Sequence, residues 1–227
     1  MIIIGHRGAA GYEPENTLRS FEKAIILGVD MIEIDVRRCK SGELVIMHDD
    51  SINRTTNGKG KISELDLDSL QKLDAGKGEH IPTLTETIQF INRRAKVDIE
   101  IKEDNIATDV AKIINSFISQ GWQNSDFLVT SRITTEVQTF RKINPSITIG
   151  VIIHRADKIP TELAQSLKAE FKFLPEIRAT KRTIHRLQSL GFKVSVYTHV
   201  ALNYFLQLHS LKRNGIDAIT SNKPDLI

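Results

Sequence analysis

Two short stretches carry charges where a strand would bury them. In MIEIDV (31–36), Glu33 and Asp35 stand two residues apart, and in VDIEIK (97–102) so do Asp98, Glu100 and Lys102. A strand turns successive side chains to opposite faces, so the charged residues share one face. Ile32, Ile34, Val36, Ile99 and Ile101 take the other. Burying such charges without partners costs on the order of several kcal/mol per ion. A layer of salt bridges, Glu100 with Lys102 or Arg7, is one way to offset that cost. Carboxylates converging on one axis repel each other unless a cation joins them, which favours a bound metal. Oxygen-only ligands suit a hard divalent ion, Mg²⁺ or Ca²⁺, rather than zinc.

The apolar run IIIG (2–5) stops at His6 and Arg7, and LVIM (44–47) stops at His48. A single histidine at such a place is more often structural than catalytic. Two of them at strand ends, beside an acidic cluster, suit proton transfer at neutral pH. Arg7 and Lys102 supply positive charge for an anion, and arginine can grip a phosphate through two parallel hydrogen bonds. Gly8 leaves room for a close backbone approach. Two imidazoles, a hard cation and two basic side chains together describe a site for a phosphoester.

These residues need elements to bring them together. Eight apolar runs read as strands: 2–5, 31–36, 97–102, 126–130, 147–153, 170–174, 193–198 and 217–221. Helical spacing separates them. Leu18, Phe21 and Ile25 fall on one face before Gly28, and similar patterns cover 84–93, 106–120, 133–143, 160–169, 180–190 and 200–213. Strands that read as apolar on both faces, alternating with helices, imply a parallel sheet covered by helices. Eight of them predict an α/β fold of the (β/α)8 TIM-barrel type, with the active site at the C-terminal face. No GxGxxG turn follows the first strand, which argues against a dinucleotide-binding sheet. The stretch 48–84 is polar, holds Asn57-Gly58 and Gly60, and is too long for an ordinary strand–helix loop. It reads as a small insertion, about 49–80, after the second strand and over the C-terminal face. The expected organisation is a single domain, 1–227.

Composition narrows the function further. The chain has 227 residues, 40% of them hydrophobic, and a formal charge of only +3. Its 31 basic residues are scattered, with no basic run interleaved with aromatics, so nucleic acid is not an expected partner. No apolar run approaches the roughly 20 residues of a membrane helix, and no signal-peptide pattern is visible. A soluble, cytoplasmic protein is expected. One cysteine, Cys39, excludes an internal disulfide. Arg178, Arg182 and Arg186 recur at helical spacing as a solvated face. His80, His154, His185, His199 and His209 lack metal-ligand spacing, and Trp122 reads as packing.

HRG (6–8), PENT (14–17), EIDV (33–36), MHDD (47–50), NRTTNGKGKI (53–62), IPTL (81–84), EIK (100–102) and GIDAITSNKPDLI (215–227) run in order along the whole chain. With them the sequence resembles the glycerophosphodiester phosphodiesterase family, metal-dependent (β/α)8 barrels. The resemblance implies that Glu33, Asp35 and Glu100 hold the metal, that His6 and His48 are the general acid and base, and that Arg7 and Lys102 bind the phosphate. It places Glu15 beside Arg7 or a substrate hydroxyl, where the alternative is a charge at a helix N-terminus. The implied substrate is a small glycerophosphodiester, split into glycerol 3-phosphate and an alcohol. Where the family commonly has Trp-Thr at the end of the seventh strand, this chain has Tyr197-Thr198, which keeps an aromatic wall for glycerol and adds a hydroxyl. Ser221-Asn222 replaces the usual Thr-Asp and removes a negative charge near the mouth. A lysophospholipase D-like reaction on the same fold would need an apolar groove, which the polar insertion does not supply. A non-catalytic phosphate-binding barrel would be expected to lose a histidine or a carboxylate, and all five are present.

Overall fold

All eight apolar runs form strands, and a ninth, short strand joins them. The computed structural model describes residues 1–153, 161–198 and 211–227. In chain order the strands are β1 (Ile2–Gly5), β2 (Met31–Arg38), β3 (Leu44–Ile46), β4 (Lys96–Ile101), β5 (Phe127–Ser131), β6 (Thr148–Ile152), β7 (Phe171–Pro175), β8 (Lys193–Thr198) and β9 (Ala218–Ser221). The helices are α1 (Leu18–Ile26), α2 (Leu67–Gln71), α3 (Leu84–Ile91), α4 (Ala107–Ser119), α5 (Thr134–Ile143), α6 (Thr161–Ser166) and α7 (Lys181–Ser189). Of the helix predicted at 200–213, only 211–213 are described, and they are helical. His154, His199 and His209 lie outside the described residues.

Every strand except β3 runs parallel to its neighbours, and β1 closes the ring by pairing with β2 on one side and β9 on the other. The result is the predicted (β/α)8 barrel. Two apolar layers hold it. Ile32, Ile34, Val36, Val97, Ile99 and Ile101 face outward into the helices, together with Phe21, Ile88, Val110 and Phe140. Ile4, Met31, Leu128, Phe171, Phe173 and Ala218 form a second cluster that fills the barrel interior. Trp122 belongs to the outer layer, stacked on Phe127 with ring centres 5.1 Å apart.

β3 is not among the eight runs read as strands from the sequence. Gly42, at φ +104°, lets the chain turn back after Cys39, so β3 pairs antiparallel with the end of β2 through Val36↔Ile46 and Arg38↔Leu44. The hairpin returns the chain to the level of Asp35, whose carbonyl accepts from the Met47 amide at 2.9 Å. His48 therefore reaches the mouth on a hairpin rather than on a barrel strand. The segment that follows has its own small core, in which Ile52, Ile62, Leu70 and Ile81 pack on Val45 and Met47. Its outer flank rests on the loop after β1, where Lys77 Nζ donates to the Tyr12 carbonyl.

Local caps set where the site-bearing loops end. Thr17 caps α1 by accepting from the Ser20 amide, and Thr83 and Glu86 form a reciprocal capping box on α3. α4 has no side-chain cap of its own. Instead the buried Glu136 carboxylate, reaching over from α5, accepts from the amides of Asn105, Ile106 and Ala107 at 2.8–3.0 Å. That anchors the loop leaving β4, directly after Lys102.

The turn after β1 is the tightest point. Gly8 has φ +84°, and a Cβ there would lie within 2.7 Å of the Ser20 carbonyl oxygen. The close approach anticipated at Gly8 is made by the backbone of α1. Gly8→Ala combines a left-handed backbone with a clash against helix backbone, so it should lower unfolding free energy by about 2 kcal/mol or more. Chemical denaturation of the two proteins measures this, and an unchanged midpoint would show that α1 can move aside.

Candidate active site

The strand register assembles the charges. β2 and β4 pair so that Glu33 lies beside Asp98 and Asp35 beside Glu100, while Thr130 of β5 lies beside Glu100. Alternation turns these side chains toward the barrel axis. A cavity of about 880 Å³ opens there, and His6, Arg7, Glu33, His48, Glu100 and Lys102 line one part of it. Asp35 sits in the floor of that part, fully buried. Glu15 stands behind Arg7 rather than in the cavity wall, with Arg7 Nη1 donating to its Oε1 at 2.7 Å. Tyr197 lines the opposite part with Ile152, Phe173, Pro175 and Ile177, and its hydroxyl donates to the Ile153 carbonyl. From the 48–84 segment, His48 alone of the described residues lines the cavity.

Four carboxylates face two cations in the polar part. Lys102 Nζ lies 2.7 Å from Glu100 Oε1 and 3.4 Å from Asp35 Oδ1, and Arg7 Nε lies 3.2 Å from Asp35 Oδ2. The salt bridges considered from sequence are therefore present, yet they do not neutralise the cluster. Burial, reinforced by Asp35 and Glu100, raises the Glu33 carboxyl well above its ordinary range. Burial and the neighbouring Asp35 also raise Glu100. Burial pushes Asp35 the same way, but Lys102 and Arg7 outweigh it and hold this carboxyl below its ordinary value. Asp98 is raised by burial despite accepting from the Thr130 hydroxyl at 2.9 Å.

The donor set fits a hard divalent cation. Glu33, Asp35 and Glu100 each offer a carboxylate oxygen, the three within 4.8 Å of one another. Glu33 Oε1 and Asp35 Oδ1 are buried and have no hydrogen-bond partner. Buried acceptors without donors are costly, and oxygen atoms converging in this way are what Mg²⁺ or Ca²⁺ requires. Asn16 holds the other Asp35 oxygen, donating from Nδ2 to Oδ2 at 2.9 Å.

Each histidine is fixed through Nδ1. His6 Nδ1 donates to Asn222 Oδ1 at 2.6 Å, which leaves Nε2 toward Glu33, 4.0 Å from its Oε2. His48 Nδ1 donates to Asp49 Oδ1, also at 2.6 Å. Burial lowers the His48 pKa below the ordinary imidazole value, and Arg7 and Lys102 add to that. Arg7 itself adopts φ +51°, a left-handed conformation that costs a non-glycine residue about 1–2 kcal/mol. Its amide donates to Glu33 Oε2 at 2.8 Å, and its carbonyl accepts from the Ser20 hydroxyl. One N–H of Arg7 Nη1 goes to Glu15, and its second N–H and those of Nη2 are the donors that a phosphate could take.

Asp49, Asn222, Arg54 and Asn16 are the partners that residue types alone did not single out. The motifs MHDD, PENT, NRTTNGKGKI and GIDAITSNKPDLI each contain one of them, but what each touches depends on chain separations of up to 216 residues. No local periodicity reports such contacts.

Residues 6–226 match the Glycerophosphoryl diester phosphodiesterase family. The chain is 31% identical over its whole length to the Bacillus subtilis protein YhdW, covering 96% of that protein. It is 28% identical to a glycerophosphodiester phosphodiesterase of Caldanaerobacter subterraneus, again over the whole chain and 96% of the relative. Among solved structures, a phosphodiesterase of Oleispira antarctica in complex with the product sn-glycerol-3-phosphate superposes with a TM-score of 0.89 at 28% identity. That superposition covers 99% of this chain and 94% of the other. A glycerophosphodiester phosphodiesterase from Agrobacterium tumefaciens gives 0.84 at 26% identity, covering 100% and 98%. With the barrel, the acidic cluster and a match that runs nearly end to end, this chain belongs to the glycerophosphoryl diester phosphodiesterase family.

Proposed function

We propose that this protein hydrolyses glycerophosphodiesters to glycerol 3-phosphate and an alcohol, with His6 and His48 as the acid–base pair. The observation that carries the reading is the pairing of two imidazoles, each tied down at Nδ1, in one cavity with three convergent carboxylates, Arg7 and Lys102. Glu33, Asp35 and Glu100 would hold the divalent ion. Bound there, the ion supplies Lewis-acid polarisation of a phosphoryl oxygen and eases ionisation of a hydroxyl.

The side chains do the rest. Arg7 Nη2 and Lys102 Nζ offset the charge on the non-bridging phosphate oxygens. His6, deep in the mouth beside Glu33, takes the proton from the glycerol hydroxyl as that oxygen attacks phosphorus. His48, at the rim on its hairpin, gives a proton to the departing alcohol oxygen. Their roles reverse when water opens the cyclic phosphate. His48 is held neutral in the free protein, and an anionic diester bound beside it favours its charged form, as does the Asp49 carboxylate at Nδ1. The ring of Tyr197 forms a wall for the glycerol.

A second reading, a lysophospholipase D-like reaction in the same site, has one observation in its favour. The apolar groove missing from the insertion is found on the other side of the cavity, where Ile152, Phe173, Pro175 and Ile177 adjoin Tyr197. Comparing kcat/KM for glycerophosphocholine and a lysophosphatidylcholine separates the two.

Chelation should abolish release of glycerol 3-phosphate, and Mg²⁺ or Ca²⁺ should restore it. Glu33→Gln and Glu100→Gln should raise the ion concentration needed for half-maximal activity. Full turnover in a chelated, metal-free sample would rule out the three-carboxylate reading.

His6→Ala and His48→Ala should each lower kcat by about 10²–10⁴-fold. A p-nitrophenyl leaving group needs little protonation, so a glycerol p-nitrophenyl phosphodiester should partly rescue His48→Ala and rescue His6→Ala much less. Rescue of His6→Ala alone would reverse the two roles, and equal rescue would show that the residues do not divide the work.

A further inference from the structure

Between His48 and Arg7 the charged side chains join in one line, and its centre is a residue with no role so far. Arg54 projects from the segment after β3. Its Nε donates to Asp49 Oδ2 at 2.7 Å, and its Nη1 and Nη2 donate to Glu15 Oε2 and Oε1, both at 2.8 Å. The second oxygen of Asp49 receives His48 Nδ1, while Glu15 Oε1 also receives Arg7 Nη1. A single guanidinium thus spends all three nitrogens on the two carboxylates that hold His48 and Arg7. We propose that Arg54 is a positioning residue that sets the imidazole of His48 and the guanidinium of Arg7 together, clamping the hairpin-borne side of the site to the loop after β1.

Geometry distinguishes this from an ordinary surface ion pair. The Arg54 side chain is 47% exposed, and an isolated pair at that exposure contributes about 0–1 kcal/mol. Here the contact with Glu15 is a two-pronged fork, which fixes direction as well as distance. The third bond, from Nε, reaches Asp49. Hydrogen bonding to Arg54 is the main reason that the Asp49 carboxyl lies far below its ordinary range, so it stays an acceptor for His48 Nδ1–H. That bond selects the imidazole tautomer with Nε2 free for the substrate. Without Arg54, Glu15 would keep only Arg7 and Asp49 only His48, and each carboxylate would be free to turn with the group it holds.

Lysine would keep the charge but not the planar fork, so the inference requires that Arg54→Lys fail to substitute. Its effect on turnover rests on the acid–base reading of His48 given above, and the experiment separates the two. Arg54→Lys and Arg54→Gln should keep the melting curve of the wild type and lose on the order of 10²-fold in kcat on glycerophosphocholine, with little change in KM. In a His48→Ala background the same substitutions should cost a clearly smaller factor, because the group being positioned is gone. Nitrogen-15 NMR of the imidazoles should show His48 protonated at Nδ1 in the wild type and a mixture of tautomers in Arg54→Lys. Wild-type kcat in Arg54→Lys, an equal loss in both backgrounds, or an unchanged tautomer would each overturn the proposal. Normal turnover by His48→Ala would instead overturn the acid–base reading, and the tautomer signal would still decide the role of Arg54.

Discussion

The mutual repulsion of Glu33, Asp35, Asp98 and Glu100 is the constraint on which this structure turns. Strand register fixes their spacing, and the packing of Ile32, Ile34, Ile99 and Ile101 against the helices prevents the strands from sliding to relieve it. A one-residue slip would turn the isoleucines into the barrel and the carboxylates into the helix layer. The apolar face therefore holds the charged face in place. What relieves the repulsion must come from elsewhere: Lys102 just past the end of β4, Arg7 in its left-handed turn, and the oxygen-binding cation that Glu33, Asp35 and Glu100 could hold between them.

The same demand explains the departures from regular structure around the mouth. Arg7 pays about 1–2 kcal/mol in backbone strain, and the return is an amide aimed at Glu33 and a guanidinium aimed at Asp35. Gly8 lets α1 come close enough for Ser20 to hold the Arg7 carbonyl. The β2–β3 hairpin brings His48 level with Asp35 at a place where no barrel strand ends. Each of these irregular features converges on the acidic cluster.

The period-2 pattern made the barrel legible. In MIEIDV and VDIEIK it assigned both the buried apolar face and the charged inner face, and the eight apolar runs coincide with β1, β2 and β4 to β9 within two residues at either end. The mouth was legible for His6, Arg7, Glu33, His48, Glu100 and Lys102 because strand ends of a barrel share one rim. β3 was not, since three apolar residues give the same signal as the tail of a strand, and Gly42 alone marks the reversal. Glu136 was not either. A carboxylate that caps a helix from about 30 residues away leaves no trace in spacing, and neither does the contact of Asn222 with His6. Tyr197 illustrates a milder case, in which the aromatic wall was anticipated but the hydrogen bond of its hydroxyl to the Ile153 carbonyl was not.

Closure of the ring between β1 and β9 has a consequence for how the chain acquires its site during synthesis. β1 is made before the other strands of the barrel, but one of its two neighbours is made more than 200 residues later, and Asn222, which holds His6 Nδ1, follows directly after β9. Until then β1 has only β2 beside it, through Ile4↔Met31 and Gly5↔Ile32. The acidic cluster of β2 and β4 can form early from near neighbours in sequence, whereas the imidazole of His6 is locked in place among the last events. Contacts of such long range form slowly and leave a strand edge open meanwhile. A nascent chain could thus gather its carboxylates well before it can move a proton.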